Sequence, residues 1–148
     1  MTPKMHKRIR GLMKGHQVMT IATVRPDGYP QTTTVTYAND GLNLYFSCDD
    51  TSQKVRNIAR NRKVSLAIDH DCEDWNEIQG LSLGGTAQVV KDQKEFKRTL
   101  KLMTKKYPQL VELSAESMKG MAIVKVTPKV FSVLDYTQGF GHTDLVRA

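Results

Sequence analysis

Between Ser47 and Lys63 the chain gathers hydroxyl and basic side chains at a spacing that suits an anion. Ser47-Cys48-Asp49-Asp50 closes one extended segment. Thr51-Ser52-Gln53-Lys54 then opens a short helical pattern, with Val55, Ile58 and Ala59 as its apolar stripe. The start of a helix leaves backbone N–H groups without intrahelical partners and carries the positive end of the helix dipole. Ser52 adds a hydroxyl donor and Lys54 a cation, so the segment can hold one phosphate. The same residues also read as an ordinary Thr51 or Ser52 N-cap followed by surface cations.

Other residues of chemical type are less organised. His70, Asp71, Cys72, Glu73 and Asp74 are all metal-ligating types, but one short loop does not make a tetrahedral set. The expectation there is a solvated acidic loop and no metal, with Trp75 in a packing role. Cys48 follows the apolar face of Leu42, Leu44 and Phe46 and reads as a small buried side chain. Gly80-Leu81-Ser82-Leu83-Gly84 fits a nucleophile motif in letters, yet lies inside an extended run without the strand-to-helix turn that motif needs. No P-loop or dinucleotide glycine fingerprint is present. Cys48 and Cys72 have no C-x-x-C spacing, so the expectation is a reducing, cytoplasmic setting without disulfides or a zinc ribbon.

The chain is 148 residues long with 25% charged and 39% apolar residues, an ordinary balance for one globular domain spanning 1–148. Apolar runs such as Met121-Ala122-Ile123-Val124 are too short for a bilayer, and the basic N-terminus lacks the apolar core of a signal peptide. Net charge is +7, concentrated in two blocks. Lys4, Lys7, Arg8, Arg10 and Lys14 form one; Lys54, Arg56, Arg60, Arg62 and Lys63 form the other. They suggest a phosphate-bearing partner, either a small ligand or nucleic acid, or else a solvated basic face. The aromatic residues are not interleaved with these blocks as a stacking platform requires, which argues against nucleic acid.

The elements that must position these groups follow from periodicity. Met5, Ile9, Leu12 and Met13 share one face of a predicted helix over 3–15. Residues 17–24 and 31–37 read as strands around the turn Pro26-Asp27-Gly28, and Thr32, Thr34 and Thr36 share one face of the second. Asn39-Asp40-Gly41 is a second turn, leading to a strand over 42–48, so the three strands form an antiparallel meander. A helix to about Asn61, a strand over 63–69 and an acidic loop over 69–77 come next. Residues 78–90 form a long strand with a bulge at Gly84-Gly85. Asp92 and Glu95 open a helix to Tyr107 with the face Phe96, Leu100, Met103 and Tyr107, and the last strand, 121–134, breaks near Thr127-Pro128. The order α-βββ-α-ββ-α-β predicts a mainly β, six-stranded antiparallel barrel or sandwich with flanking helices, not a doubly wound sheet.

From about His16 to Val133 this pattern resembles the flavin-binding split barrel of the pyridoxamine 5′-phosphate oxidase-like superfamily. The matching pieces are Val18 to Val24, Asp27-Gly28-Tyr29-Pro30, the polar strand Gln31 to Tyr37, and Gly41 to Ser47. Ser52 to Ile58, Lys63-Val64-Ser65-Leu66 and Gly85-Thr86-Ala87 complete them. The resemblance implies a Greek-key-like split barrel and a homodimer with two flavin mononucleotide (FMN) sites at the subunit interface. It implies that Ser52 and Lys54, with Gln53 beside them, hold the flavin phosphate. Thr33, Thr34, Val35 and Thr36 would run along the isoalloxazine ring, and Ser47 would lie near the ribityl chain or phosphate. The namesake oxidase carries Arg-Lys where this chain has Gln53-Lys54; Arg25, Arg56 or a residue of the partner subunit are the replacements for the missing cation. The oxidase's substrate-binding Arg and His residues near the C-terminus have no match here.

The function implied is FMN-dependent oxidoreduction of a small molecule, with no catalytic side chain identified, because the cofactor carries the chemistry. The same fold also accepts a deazaflavin or haem, or serves as a flavin-binding sensor or storage module without turnover. In the tail, Tyr136 and Phe140 stand among Gly139 and Gly141. The expectation is a tail that folds back, with Phe140 at the dimer interface or against the flavin edge.

Overall fold

The computed structural model describes residues 1–112 and 118–148 of the chain. Three helices are formed: α1 (Pro3–Gly15), α2 (Gln53–Arg60) and α3 (Gln93–Lys106). The strands are β1 (Val18–Val24), β2 (Pro30–Thr36), β3 (Ala38–Asp40), β4 (Asn43–Asp49), β5 (Lys63–Ile68), β6 (Gln79–Val89), β7 (Met121–Asp135) and β8 (Thr143–Arg147). They make one antiparallel sheet in the order β2-β1-β5-β6-β7-β4-β3, with β8 added on β7. No helix among the described residues is long and apolar enough to cross a membrane.

Among the described residues the count is eight strands where six are expected. One addition is β3, which occupies the residues read as a turn; the turn itself is Gly41-Leu42, with Gly41 at φ +61°. The other is β8, built from the tail. The expected meander is also corrected. β1 and β2 form a hairpin, and so do β3 and β4, but β2 and β4 do not pair. The reason is a corner at Tyr37, where the chain leaves one edge of the sheet and crosses to the other. Val35 from the first edge joins Leu44 and Phe46 from the far end in a single core cluster, so the sheet is curled on itself.

Tyr37 is buried at that corner, and its hydroxyl donates to the Met13 carbonyl at 2.6 Å. The corner's main chain is held by Tyr107, whose hydroxyl accepts from Tyr37 N–H (3.2 Å) and lies 2.5 Å from the Tyr37 carbonyl and 2.7 Å from that of Gln17. One hydroxyl therefore fastens α1's exit, β2 and β3. The core runs through Ile9 and Met13 of α1, Met19 and Ile21 of β1, Leu66, Leu83, Phe131 and Val133. Burying a side chain of this size contributes about 1.5–3 kcal/mol. A smaller cluster of Tyr45, Val90 and Ile123 packs under Phe96 and Leu100 of α3.

The register of β6 against β7 shifts at Gly84-Gly85, where an irregularity is expected, but the extra residue is Lys129 of β7, since Gly84 faces Val130 and Gly85 faces Pro128; this explains a second correction. β7 does not break at Thr127-Pro128 but runs through it, with Pro128 opposite Gly85 at the register shift. Proline lacks a ladder donor, and the bulge removes the need for one. A Cβ at Gly85 would sit 2.4 Å from the Thr127 carbonyl oxygen, so only glycine fits.

Candidate functional site

The first turn of α2 differs from those of the other helices. Thr2 caps α1 by accepting from Met5 N–H, and Asp92 caps α3 by accepting from Glu95 N–H. Ser52 is the N-cap of α2, yet its side chain makes no capping bond. Its Oγ is buried without a hydrogen-bond partner. The Cys48 thiol feels the Ser52 hydroxyl, but the two do not meet hydrogen-bond geometry. Burial pushes the Cys48 thiol up, and Ser52 and Lys54 offset part of that shift. Thr51 is also turned from capping: its hydroxyl and N–H both donate to Asp49 Oδ1, at 2.5 and 2.7 Å. These bonds lower the Asp49 carboxyl, with a smaller contribution from Lys54.

Of the candidates for a second cation, Arg56 lies at the helix start. Arg56 bends back to the helix start, donating to the Thr51 carbonyl at 2.9 Å and to Gln53 Oε1 at 2.8 Å. Arg25, the other intrachain candidate, pairs with Asp27 at the exposed hairpin tip. Lys54 and Arg56 thus stand with an unpartnered hydroxyl and the first-turn N–H groups of α2, opposed by the charge of Asp49. A buried hydroxyl without a partner costs about 1–3 kcal/mol, which an anion accepting from it would recover. The residues present therefore fit a phosphate group.

Gln53 is not free for a ligand. Its amide donates to Asn57 Oδ1 at 2.8 Å while its oxygen accepts from Arg56. Asn57 is completely buried and donates to Thr23 Oγ1 (2.9 Å) and Gln31 Oε1 (3.1 Å). Thr23 and Gln31 are cross-strand partners on β1 and β2. This chain of amides ties α2 to the hairpin that carries Thr33 to Thr36. Sequence reasoning missed it: the buried residues of α2 are Asn57 and Ile58, while Val55 is half-buried and Ala59 exposed. The available signal was the i, i+4 spacing of Gln53 and Asn57.

The other predicted site residues divide between faces. Along β2, Thr33 is half-buried and Val35 buried, while Thr34 and Thr36 are exposed. β2 pairs only with β1, so its outer edge is open among the described residues. Ser47 lies on the α3 side of β4, lining a cavity of about 100 Å³ with Leu100, Met103 and Met121. The structure does not bring its side chain to Ser52. A larger groove, about 530 Å³, runs beside Ile58, Arg62, Val89 and Glu95.

The tail does fold back, as β8. Phe140 packs edge-on against Tyr136 at 5.2 Å but stays 70% exposed in the single chain. Asp135, at the base of the tail, accepts from Thr137 and Gln138 and pairs with Arg8. Those bonds, led by the Thr137 hydroxyl, hold its carboxyl far below the usual range against the opposing effect of burial.

A curled antiparallel sheet with three flanking helices defines the split-barrel class. Residues 5–135 match the family model described as pyridoxamine 5′-phosphate oxidase, and the chain belongs to that family. It is 25% identical over 83 residues to general stress protein 26 of Bacillus subtilis, a match covering 56% of this chain and 58% of that protein. Among solved structures, a haem-binding protein from Mycobacterium smegmatis is similar with TM-score 0.81 and 18% identity. That match covers 99% of this chain and 59% of the other. HutZ, the haem storage protein of Vibrio cholerae, is similar with TM-score 0.69 and 14% identity, covering 83% of this chain and 89% of that one. This chain thus spans less than two thirds of the Bacillus and Mycobacterium proteins.

Proposed function

We propose that the chain binds FMN as a homodimer and uses it in oxidoreduction of a small molecule. The observation that carries this reading is the unpartnered Ser52 hydroxyl, flanked by Lys54 and Arg56 on a helix fastened to β2. Lys54 and Arg56 would neutralise the phosphate, and Ser52 would donate to it. Gln53 positions Arg56 and, through Asn57, keeps the helix start in fixed relation to β2. Thr33, Thr34, Val35 and Thr36 would serve the ring through the open edge of their strand, and Ser47 would contribute main-chain groups only. When bound, the flavin supplies the electron and hydride chemistry. A second protomer would cover the exposed Thr34 and Thr36 and exclude water there.

The test is the absorption spectrum of the purified protein, with the released cofactor identified by mass and the assembly measured by sedimentation. One FMN per chain in a dimer supports the reading. Failure to take up FMN on titration refutes it. The two haem proteins of like fold favour haem retention as a second reading; a haem spectrum, with no flavin taken up, would establish it. A deazaflavin is separated by mass. Oxidation of reduced nicotinamide, or reaction of the reduced flavin with oxygen, separates an enzyme from a flavin store.

A further inference from the structure

We infer that His16 and His70 form a binding site for one divalent transition-metal ion of the kind that imidazole prefers, such as zinc, nickel or copper. The two are 54 residues apart, and the sheet brings them together. β1 and β5 are antiparallel neighbours with Thr20 opposite Ala67. Continued outward, that register puts the residues just before β1 beside those just after β5. His16 is the C-cap of α1, and His70 opens the acidic loop after β5.

The protons at this pair can be assigned. His16 Nδ1 lies 2.8 Å from the Leu12 carbonyl oxygen. A carbonyl only accepts, so Nδ1 carries the hydrogen, and in the neutral ring Nε2 presents its lone pair. That lone pair faces His70 Nδ1 at 3.0 Å. The rings are tilted by 39° with centroids 5.1 Å apart, so their edges converge and their faces do not stack. Two metal–nitrogen bonds of about 2.0–2.1 Å at the tetrahedral angle place their nitrogens about 3.3–3.4 Å apart. The observed spacing is a few tenths of an ångström shorter, so the rings part slightly and His70 Nδ1 gives up its hydrogen to admit an ion.

Two further features favour occupancy. A ligating histidine commonly donates its other ring N–H to a carbonyl, which fixes ring and tautomer. Leu12 provides this for His16, and Lys106 steadies the same residue by donating to its main-chain oxygen at 2.7 Å. His70 is also flanked by Asp69 and Asp71, with Glu73 and Asp74 following. Their summed field raises the local cation concentration. Within the acidic loop itself the ligand types are not assembled: Cys72 donates to the Asp74 carbonyl, and Asp74 caps the turn Trp75–Glu77. No group of three or more ligating residues occurs among the described residues; an ion held by the two imidazoles would take water for the rest of its shell. Occupancy would clip the acidic loop to the junction of α1 and β1.

The experiment uses the untagged full-length chain, freed of metal by chelator, titrated with zinc chloride by calorimetry and by NMR of the ring nitrogens. The expected result is one zinc per chain, with the His16 and His70 rings shifting and those of His6 and His142 unmoved. His16→Ala and His70→Ala should each weaken zinc binding by about tenfold or more, while His6→Ala and His142→Ala should not. Zinc should raise the melting temperature of the wild type and not that of the His16→Ala/His70→Ala double variant. His70→Gln serves where an alanine variant is poorly folded. Zinc that leaves both rings unshifted, or binds the folded double variant as well as wild type, would overturn the proposal and leave the pair as a hydrogen bond only.

Discussion

Replacing Asn57 with leucine keeps its approximate volume and deletes all its polar contacts. Three side-chain hydrogen bonds disappear: to Thr23, to Gln31 and from Gln53. At about 0.5–1.5 kcal/mol each, their sum is about 1.5–4.5 kcal/mol. The upper part of that range applies because Thr23, 1% exposed, keeps its hydroxyl in the interior without this donor. For a chain of this size the melting temperature should fall by about 2–4 °C per kcal/mol, hence by roughly 6–18 °C over the upper half of the range. Denaturant unfolding should show a lower midpoint with unchanged slope. Thr23→Val in the same background tests whether the loss belongs to the pair; a coupling of about 0.5–3 kcal/mol is expected. The affinity for FMN should fall as well, because the helix start is no longer fastened to β2. A variant within about 0.5 kcal/mol of wild type, with no coupling to Thr23, would refute the role assigned to this network.

Lys54→Ala should weaken FMN binding by about 1.5–3 kcal/mol while leaving riboflavin, which lacks the phosphate, little changed; equal losses for both ligands in fluorescence titration would remove Lys54 from the site. Asp135→Asn should destabilise the chain at neutral pH. The folded-state carboxyl is depressed, so its stabilisation is present above the ordinary aspartate value of about 3.9 and is lost as pH falls below it. The stability gap between wild type and variant should therefore narrow progressively below about pH 4, and a gap unchanged between pH 7 and 3 would contradict the assignment. Gly85→Ala should cost about 1–3 kcal/mol, because its Cβ meets backbone and no side chain can swing clear; a change under about 0.5 kcal/mol in urea unfolding would show that the bulge can relax.

Much of the fold is legible because each strand is announced by alternation and each turn by its chemistry. Gly28 and Gly41 do adopt positive φ, and the β6–β7 register shifts where Gly84-Gly85 interrupt β6. Pairing is not legible in the same way. Nothing local tells Thr36 and Ala38, separated by one residue, that they belong to opposite edges of the sheet; that is decided by the burial of Tyr37 and by a hydroxyl 70 positions away. The site divides likewise. Ser52 and Lys54 are visible as types at a helix start, and the structure adds what spacing cannot: the Ser52 hydroxyl does not cap. Arg56 is named from the sequence only as one of several candidates, and its place at the helix start is what the structure adds. Asn57 stays hidden because a polar residue on a predicted helix is read as solvated, whereas here its amide meets partners from two strands. Glu95 is half legible. Its N–H is capped by Asp92 as expected, but its carboxylate turns to Lys125 and Tyr45 instead of back to the cap.

The crossing at Tyr37 also sets the order in which this chain can fold. A hairpin of β1 and β2 needs only a short loop closure and can form in microseconds. It is left with one neighbour until β5 arrives, and β3–β4 must wait for β7, which lies beyond α3. Consecutive strands at opposite edges mean that neither half of the chain closes a core alone. Non-local pairing of this kind places folding toward the millisecond-to-second range of all-β domains. During synthesis the β3–β4 hairpin therefore emerges with its partner edge bare until the last third of the chain is made. The β1–β2 hairpin has β5 sooner, but the outer side of β2 receives no strand at all among the described residues, and the threonines along β2 keep that edge strand polar, which guards it against pairing with another chain.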